Sequence, residues 1–338
     1  MVEDASNFIR SGAKYFAMDI HCHIKKELIS YGTGISDSII PATTLPSFFR
    51  QWRYGKGLVV CLLPLLLLAG CGSPIIPGSD ATLTFAVIDV GQGLAQIILQ
   101  KNRALLFDTG PPDSIKNWKQ VYRLMGSPHL EAVIISHRDL DHAGGLRFLD
   151  TSVDWSGRLI TGKWEDTARI RSYCSNWDGP IVISTIADGD SIFFTEECAI
   201  DCRWPPEVAP DTVPVPDESV NYYSLVTSIR HRYAGILFTG DIDSIAARTI
   251  ARNHQTELRA DIIVVPHHGS ASSNSSLLYG YVKPATAVIS AGENNSYGHP
   301  SPITTEMLAD HGITCLNTAI DGSIFRSTSG YYWETGMK

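Results

Sequence analysis

The chain has 338 residues, of which 44% are hydrophobic and 18% are charged. This composition is typical of a globular protein with a substantial core and excludes a disordered chain, and the length allows one large or two ordinary domains. The formal net charge is −8 at pH 7. The chain therefore lacks the basic excess with which proteins hold nucleic acid tightly, and nucleic acid is expected as a substrate at most.

The N-terminal region contains a short apolar segment that predicts export. Residues 58–69 form an uninterrupted apolar run, and Arg50, Arg53 and Lys56 precede it. The run is shorter than the roughly 20 residues of a membrane span. It has the length and the positive flank of a signal peptide. Residues 51–71 are therefore predicted to be a signal segment.

The apolar run ends in Leu68-Ala69-Gly70-Cys71, which resembles the lipobox of bacterial lipoproteins. The resemblance implies cleavage before Cys71, a lipid on its thiol, and attachment to the membrane of a bacterial cell envelope, facing the periplasm or the exterior. An ordinary signal peptide or short anchor with an incidental cysteine is the alternative. The Pro/Gly/Ser-rich residues 72–81 are predicted to be a flexible tether. Residues 1–50 carry no readable motif and are an unassigned leader, which a start codon assigned too early would explain.

From residue 83 onward, strand and helix patterns alternate. Strands are predicted from apolar runs bounded by turn residues, and helices from apolar residues at helical spacing. In chain order, the predicted strands are residues 83–90, 95–100, 103–110, 130–137, 181–186, 191–194, 199–204, 223–231, 234–239, 261–265 and 286–291. The predicted helices are residues 114–126, 243–257 and 302–311. About ten strands with interleaved helices predict an α/β protein built on two sheets.

Four potential metal ligands follow the predicted strand 130–137 within six positions. They lie in the segment Ser136-His137-Arg138-Asp139-Leu140-Asp141-His142-Ala143-Gly144-Gly145. Carboxylates at this density are unfavourable unless cations compensate them, and two divalent cations would do so. Imidazole together with carboxylate suits zinc, manganese or iron. The segment therefore predicts a two-metal site.

The same segment resembles the HxHxDHxGG signature of the metallo-β-lactamase superfamily, with Asp139 in place of its second histidine. The HxDxDH form is similar to that of ComEC-type competence hydrolase domains and of secreted phosphorylcholine esterases. Leu94 stands where an acid is usual in the ComEC-type domain. The other matching motifs follow in family order, and are Asp89-Val90-Gly91-Gln92-Gly93, Asp108-Thr109-Gly110, Asn221-Tyr222-Tyr223-Ser224-Leu225-Val226, Phe238-Thr239-Gly240-Asp241, Pro266-His267-His268-Gly269-Ser270 and Tyr297-Gly298-His299-Pro300. The resemblance implies an α/β fold, the four-layer αββα sandwich of the superfamily, over residues 82–335.

The resemblance also implies a set of metal ligands. Carried over residue by residue, the first cation is held by His137, Asp139 and Asn221, the second by Asp141, His142 and one of His267 and His268, and Asp241 bridges the two. Asn221 stands where the superfamily has a histidine. Its amide oxygen is a weaker ligand, so the two divalent ions are expected to be Zn²⁺ or the harder Mn²⁺. Asp108 is expected to support the ligand loop by hydrogen bonds.

The function that the resemblance implies is that of a metal-dependent hydrolase, in which two cations share an activated hydroxide. No serine or cysteine nucleophile is needed. Asp141, His268 and His299 are the predicted catalytic residues, and His268 or His299 would protonate the leaving group if it is not a ligand. A surface-anchored binding lipoprotein, with metals that serve structure only, is the alternative from another class.

The expected substrate is a phosphoester, and a phosphodiester in nucleic acid, an envelope polymer and a small phosphocholine-like ester all remain open. Lactone, thioester and β-lactam hydrolysis fit less well, since those branches usually keep HxHxDH. A nuclease would need cationic side chains beside the metals, for which Arg138, Arg171 and Arg230 are the nearest candidates.

Four cysteines follow the predicted lipidation site. They are Cys174, Cys198, Cys202 and Cys315. Outside the cytosol they permit two disulfides, and four buried free thiols are the alternative. The sequence does not decide between the two.

Overall fold

The computed structural model describes residues 82–209 and 220–335. The predicted leader (1–50), signal segment (51–71) and tether (72–81) lie outside the described residues, and so does Cys71. These assignments therefore stay predictions. In the part of the chain that is described, no helix combines the length and the apolar character needed to cross a bilayer.

Apolar runs form the strands of the described residues, and most strand positions are buried. The strands are β1 (Leu83–Val87), β2 (Ala95–Gln100), β3 (Arg103–Thr109), β4 (His129–Ile135), β5 (Arg158–Gly162), β6 (Val182–Ile186), β7 (Ser191–Thr195), β8 (Cys198–Trp204), β9 (Val226–His231), β10 (Ala234–Phe238), β11 (Ile262–Val264), β12 (Thr286–Ile289), β13 (Thr314–Asn317), β14 (Ile324–Thr328) and β15 (Trp333–Thr335). The α-helices are α1 (Ile115–Leu124), α2 (Leu140–Ala143), α3 (Thr167–Tyr173), α4 (Ser244–His254), α5 (Ser276–Val282), α6 (Pro302–Asp310) and α7 (Thr318–Asp321).

The strands form two mixed sheets. The first has eight strands in the spatial order β15-β14-β1-β2-β3-β4-β5-β6, and the second has seven in the order β13-β12-β11-β10-β9-β8-β7. Strands β3 to β6 run parallel in the first sheet, and β10 to β13 run parallel in the second. Parallel strands present their carboxyl ends at one edge of a sheet, which is where α/β proteins place their sites.

Three separate apolar cores show the layering. One core joins the first sheet to residues of α1 such as Trp118, and a second joins the two sheets through residues such as Phe85 and Phe238. The third joins the second sheet to residues of α4 and α5 such as Ile250 and Tyr279. Helix, sheet, sheet and helix thus alternate, which confirms the αββα sandwich predicted from the sequence.

The helices and strands that the sequence patterns did not predict are short or lie near the edges of the two sheets. Strand β5 and helix α3 follow the metal-ligand segment, and helix α5 follows the His267-His268 pair. Strands β13, β14 and β15 lie beyond the last predicted helix. β13 has no fully buried residue, so it lacks the apolar run on which strand prediction depends.

The four described cysteines are all free, so the predicted alternative with two disulfides is not formed. Cys174, Cys198 and Cys202 are buried, whereas Cys315 is exposed. Burial raises the pKa of both Cys198 and Cys202 to about 12. These thiols are therefore neutral core residues with no nucleophilic character.

Candidate metal centre

Loops at the carboxyl ends of three strands, one in the first sheet and two in the second, supply the clustered polar residues. The segment 136–142 follows β4, Asp241 follows β10, and the His267-His268 pair follows β11. The parallel neighbours of these strands direct the loops to one edge, so residues more than 100 positions apart in the chain meet there.

Four of these residues bring one ligand atom each to a common point. The ligand atoms of Asp141, His142, Asp241 and His268, here called the four-ligand group, all lie within 4.8 Å of one another. His268 Nε2 lies 3.3 Å from His142 Nε2, 3.4 Å from Asp141 Oδ2 and 3.5 Å from Asp241 Oδ2. All except Asp141 are buried. Two imidazoles and two carboxylates are a donor set for a divalent cation such as zinc.

The histidines of the four-ligand group are oriented by their other ring nitrogen. His142 Nδ1 donates to Asp108 Oδ2 at 2.8 Å, and His268 Nδ1 donates to the Ser290 carbonyl at 2.9 Å. Metal-binding histidines are held in this way, because a hydrogen bond at Nδ1 leaves the Nε2 lone pair for the cation. The expectation that Asp108 supports the ligand loop agrees with this bond.

Asp108 also fixes the start of the ligand loop. Its Oδ1 accepts the Ser136 amide at 2.7 Å, and its Oδ2 accepts the Ser136 hydroxyl at 2.8 Å. The Ser136 hydroxyl in turn lies 3.0 Å from His137 Nδ1. The buried Asp108 carboxylate therefore orients His142 directly and His137 through the Ser136 hydroxyl.

His137 and Asp139, here called the outer pair, lie beside the four-ligand group. His137 Nε2 is 3.7 Å from Asp139 Oδ2, and the Asp139 side chain is 50% exposed. The Asn221 side chain does not join them among the described contacts. The Asn221 backbone carbonyl accepts the Ser224 amide, and the Ser224 hydroxyl lies 3.4 Å from His137 Nδ1. Metal binding by Asn221 stays a prediction.

Two buried polar atoms at the centre lack hydrogen-bond partners. They are His137 Nε2 and Asp241 Oδ1. His142 Nε2 lies 3.1 Å from Asp241 Oδ1, so a second proton on His142 would join these two atoms, and a divalent cation can take the place of that proton. An unsatisfied buried polar atom costs about 1–3 kcal/mol. Divalent cations would satisfy these atoms, so the residues present fit the metal site predicted from the sequence.

The titration behaviour of the centre also calls for positive charge. Burial disfavours the ion of His142, but the charges of Asp241 and Asp108 outweigh burial and raise its pKa well above the usual value. Burial likewise opposes ionisation of Asp241, yet His142 and His268 hold its pKa well below the usual range. Asp241 thus keeps its charge and requires a proton or a cation nearby. Burial and the His142 charge lower the pKa of His137 to about 4, which leaves its lone pair available.

The two adjacent histidines take different positions. Both lie in the left-handed region, with φ of 49° for His267 and 55° for His268. His268 belongs to the four-ligand group, whereas His267 is partly exposed and places Nε2 3.6 Å from Asp241 Oδ2. The structure therefore favours His268 as the ligand, and it makes His268 unsuitable as the predicted proton donor.

His299 lies at the rim of the centre. Its ring centroid is 5.7 Å from that of His267 and 6.3 Å from that of His268, and its Nδ1 is 3.4 Å from Gln92 Nε2. Burial, followed by the charges of His268 and His267, lowers its pKa. His299 is outside the four-ligand group and remains the candidate for proton transfer.

Two glycines of the motifs are required by close backbone contacts. A Cβ on Gly93 would lie 2.5 Å from the Asp141 carbonyl oxygen, and one on Gly145 would lie 2.2 Å from the Thr109 carbonyl oxygen. The Leu94 amide also donates to the Asp141 carbonyl at 3.0 Å. The β1–β2 loop therefore packs directly on the ligand segment and fixes Asp141.

The arginines expected beside the metals do not form a cluster. Arg138 is buried and its Nη1 lies 3.2 Å from Glu165 Oε1, Arg171 donates to the Ile181 carbonyl, and Arg230 lies toward the far end of β9. The expectation of a cationic patch from these three residues is therefore wrong.

Three further residues support the centre by hydrogen bonds to its ligand loops, namely Glu165, Ser224 and Ser290. Only Ser224 lies within one of the sequence motifs.

Comparisons with known proteins agree with the geometry. Residues 88–218 match the model of the metallo-beta-lactamase superfamily. The chain is 28% identical over 277 residues to competence protein ComA of Neisseria gonorrhoeae, covering 80% of this chain and 36% of the relative. It is 27% identical over 260 residues to ComE operon protein 3 of Bacillus subtilis (strain 168), covering 70% and 32%. The chain thus spans about a third of the length of these relatives.

Solved structures also match this chain, at low identity. The metallo-beta-lactamase fold protein YhfI from Bacillus subtilis is 13% identical, with a TM-score of 0.48, over 73% of this chain and all of that protein. The matched residues 88–218 contain the segment 136–145 that carries Asp141 and His142, whereas Asp241 and His268 lie beyond them. The chain therefore matches the metallo-beta-lactamase superfamily over residues 88–218 and is similar to ComEC-type competence proteins.

Proposed function

We propose that residues 82–335 are a metal-dependent hydrolase that cleaves phosphodiesters. The observation that carries this proposal is the four-ligand group, in which His142 and His268 are each held at Nδ1 and turn Nε2 toward two carboxylates. Two divalent cations bound by such residues would supply Lewis acidity and an activated water. No other nucleophile is required, and the described cysteines are unsuited to that role.

The protein's own residues would divide the remaining work. Asp241 directs one oxygen toward His142 and the other toward His268 and His267, and its charge also acts on His137 of the outer pair, so it would serve both halves of the centre. Asp108 holds His142 and the loop that carries the outer pair. His299 would transfer a proton to the leaving group, because it is a rim imidazole outside the four-ligand group.

Two considerations support a phosphodiester as the substrate. The HxDxDH form is the one that resembles ComEC-type domains, and the relatives are named for competence and, in Haemophilus influenzae, for recombination. The acidic chain and the buried Arg138–Glu165 pair do not suit a tight grip on long nucleic acid. We therefore propose cleavage of phosphodiesters that are held mainly at the metal centre.

A first experiment tests metal dependence. Metal content is measured in the purified protein, and turnover of bis-p-nitrophenyl phosphate is followed with Zn²⁺ or Mn²⁺ and with a chelator. Asp241→Asn is the test variant, and Asp310→Asn, on the exposed end of α6, is its matched control. Turnover that needs metal and Asp241 supports the proposal. A metal-loaded but inert protein would instead support a binding module with structural metals.

A second experiment separates the substrates. Release of nucleotides from plasmid DNA is compared with release of choline from a phosphocholine ester, using the same metal-loaded protein. Preference for DNA or for short oligonucleotides supports a nucleic-acid phosphodiester. Preference for the phosphocholine ester would assign the enzyme to small or envelope phosphoesters.

We also propose that the chain is anchored in the cell envelope through a lipid on Cys71. The support is the lipobox-like sequence that ends at this cysteine. Incorporation of a fatty-acid analogue into the wild-type chain and its loss in Cys71→Ser would support this anchoring. Equal labelling of Cys61→Ser serves as the control, since Cys61 lies inside the apolar run.

A further inference from the structure

Three exposed tyrosines cluster at one end of the sandwich. Tyr233 lies in the turn between β9 and β10, and Tyr331 and Tyr332 lie in the turn between β14 and β15. Their exposed fractions are 75%, 63% and 65%, and the ring centroids of Tyr233 and Tyr331 are 5.6 Å apart. These three residues are here called the tyrosine patch. Exposed aromatic side chains that cluster in this way mark an interaction surface.

The tyrosine patch lies at the end of the sandwich opposite the metal centre. Strand β10 runs from the turn that carries Tyr233 to the loop that carries Asp241. Its 5 residues separate the turn from the loop by roughly 16 Å, at about 3.3 Å per residue. The Tyr233 amide donates to the Gly330 carbonyl at 2.9 Å, so the β14–β15 turn of the first sheet lies at the same end.

The chain also enters the domain at this end. Strand β1 begins at Leu83 and runs toward the loop that packs on Asp141. Leu83 pairs with Thr328, which precedes the β14–β15 turn. The predicted tether, residues 72–81, therefore joins the domain beside the tyrosine patch. A tether of this length reaches at most about 35 Å when fully extended, so a lipid on Cys71 would keep the patch close to a bilayer.

Hydrogen bonds hold the two turns of the patch in one conformation. Arg232 Nη1 donates to the Ser329 carbonyl at 3.4 Å, and the Arg232 guanidinium also pairs with Glu197. The Gly330 amide donates to Thr328 Oγ1 at 2.9 Å. The turns that carry the tyrosines are therefore fixed before any contact, which reduces the entropy lost on binding.

A lipid bilayer fits this surface better than a second copy of the chain. Tyrosine is enriched at membrane–water interfaces, because its ring is apolar and its hydroxyl stays hydrated. Lys101, which follows the Leu83 partner Gln100, is exposed and adds a positive charge that anionic headgroups attract. Three tyrosine side chains, each about two-thirds exposed, offer at most about 500 Å², whereas a stable dimer buries about 800 Å² per partner.

We propose that the tyrosine patch rests in the headgroup layer of the bilayer that holds the lipid on Cys71. This inference rests on the envelope anchoring proposed above and extends it from a flexible tether to a defined orientation. The tether supplies a high local concentration, so three partly apolar side chains suffice to hold the domain on the bilayer. The metal centre then faces away from the bilayer, and substrates reach it from the aqueous side.

Hydroxyl-radical labelling of the full-length, lipidated chain tests this orientation. The protein is incorporated into vesicles of phosphatidylethanolamine and phosphatidylglycerol, and oxidation of each tyrosine is measured by mass spectrometry. Tyr297, which is 70% exposed and stacks on His299 near the metal centre, is the internal reference. Without bilayer contact, the similar exposures predict similar oxidation of Tyr297 and the patch. On the vesicles we expect oxidation of the patch to be about threefold lower than that of Tyr297, because the headgroup layer covers it.

A charged variant shows whether the patch itself sets the orientation. An aspartate at the patch is repelled by anionic headgroups, so oxidation of Tyr233 should rise about threefold in Tyr332→Asp. Tyr297→Asp is the matched control, because it places the same charge near the metal centre. In this control, Tyr233 should be oxidised as slowly as in the wild type. An equal rise in both variants would overturn the proposed orientation.

Vesicle flotation and dilution separate the remaining outcomes. A chain that floats with the vesicles while its patch is oxidised as readily as Tyr297 would overturn the membrane face and leave the anchoring intact. A chain that does not float would overturn both. Protection that is independent of the protein-to-lipid ratio supports the proposal, whereas protection lost on dilution with lipid would assign the patch to a second copy. No readout depends on hydrolysis, so failure of the hydrolase proposal is recorded separately.

Discussion

The two halves of the candidate metal centre differ in how completely the protein builds them. The four-ligand group has four ligand atoms within 4.8 Å of one another, and both of its histidines are oriented by buried hydrogen bonds. The outer pair has one buried imidazole and one half-exposed carboxylate, 3.7 Å apart. Preorganised ligands lose less entropy when they bind a cation. We therefore expect the four-ligand group to bind metal more tightly than the outer pair.

The largest effect is expected at Asp241, the carboxylate that faces both halves. Asp241→Asn keeps the size of the side chain but removes its charge, so both cations lose a ligand. Activity on bis-p-nitrophenyl phosphate should fall on the order of a thousandfold, which corresponds to several kcal/mol of lost charge stabilisation. Kinetics and metal analysis of the same samples measure this. If the variant kept two metal equivalents and normal turnover, Asp241 would not be a metal ligand.

A second comparison uses the adjacent histidines. His268→Ala should lower the affinity of the tighter metal equivalent by about a hundredfold, because a ligand is lost outright. His267→Ala should change it only a few-fold, since His267 lies outside the four-ligand group. Calorimetric titration with Zn²⁺ distinguishes the two variants. Equal losses would mean that both imidazoles bind metal.

Asp108 tests whether orientation, and not only ligand identity, makes the four-ligand group tight. Asp108→Asn weakens the hydrogen bond that directs His142, and the metal affinity should fall roughly 10- to 100-fold. Asp150→Asn, which breaks a surface pair with Lys119, is the matched control and should leave metal binding unchanged. An Asp108→Asn protein with wild-type affinity would show that the His142 ring needs no support.

The residues of the four-ligand group could be found from sequence because each follows a buried strand within a recognisable motif. Asp141 and His142 stand in the HxDxDH segment, Asp241 in FTGD and His268 in PHHG. The choice between His267 and His268 could not be made, because it depends on two consecutive left-handed residues that direct one ring inward.

The supporting residues were less accessible to sequence reasoning. Ser290 acts through its backbone carbonyl, which any residue provides, and Glu165 lies between two short elements that no periodicity predicted. Metal binding by Asn221, inferred by counting back from Asp241, stays a prediction, and the residue of that segment whose side chain contacts the centre is Ser224, through its hydroxyl. The layers of the sandwich followed from apolar runs, whereas the edge strands lacked such runs.

The outer pair provides a direct test of the expected difference in affinity. Asp139→Asn should abolish the weaker metal equivalent and leave the tighter one, since Asp139 is outside the four-ligand group. In the wild type we expect the two equivalents to differ at least about tenfold in affinity, or about 1.4 kcal/mol. Stepwise removal by a chelator, followed by metal analysis, reveals this order. Simultaneous loss of both metal equivalents would contradict the expected difference in affinity between the four-ligand group and the outer pair.

The smallest effect is expected at Ser224, whose hydroxyl connects the two halves. It accepts the Asp241 amide at 3.0 Å and lies 3.4 Å from His137 Nδ1. Ser224→Ala leaves the buried amide unsatisfied, at a cost of about 1 kcal/mol, which is roughly a fivefold change in an equilibrium constant. Because Asp241 faces both halves of the centre, a change in its position should lower the affinity of both metal equivalents by a similar factor.

This shared response separates Ser224 from Asp139, which should affect one equivalent only. Calorimetry on Ser224→Ala and Asp139→Asn under the same conditions makes the distinction, and Ser228→Ala, farther along β9, is the matched control. If Ser224→Ala weakened only one equivalent, its hydroxyl would serve His137 alone and the two halves would be independent. If it weakened both, Asp241 would be the residue through which the four-ligand group supports metal binding at the outer pair.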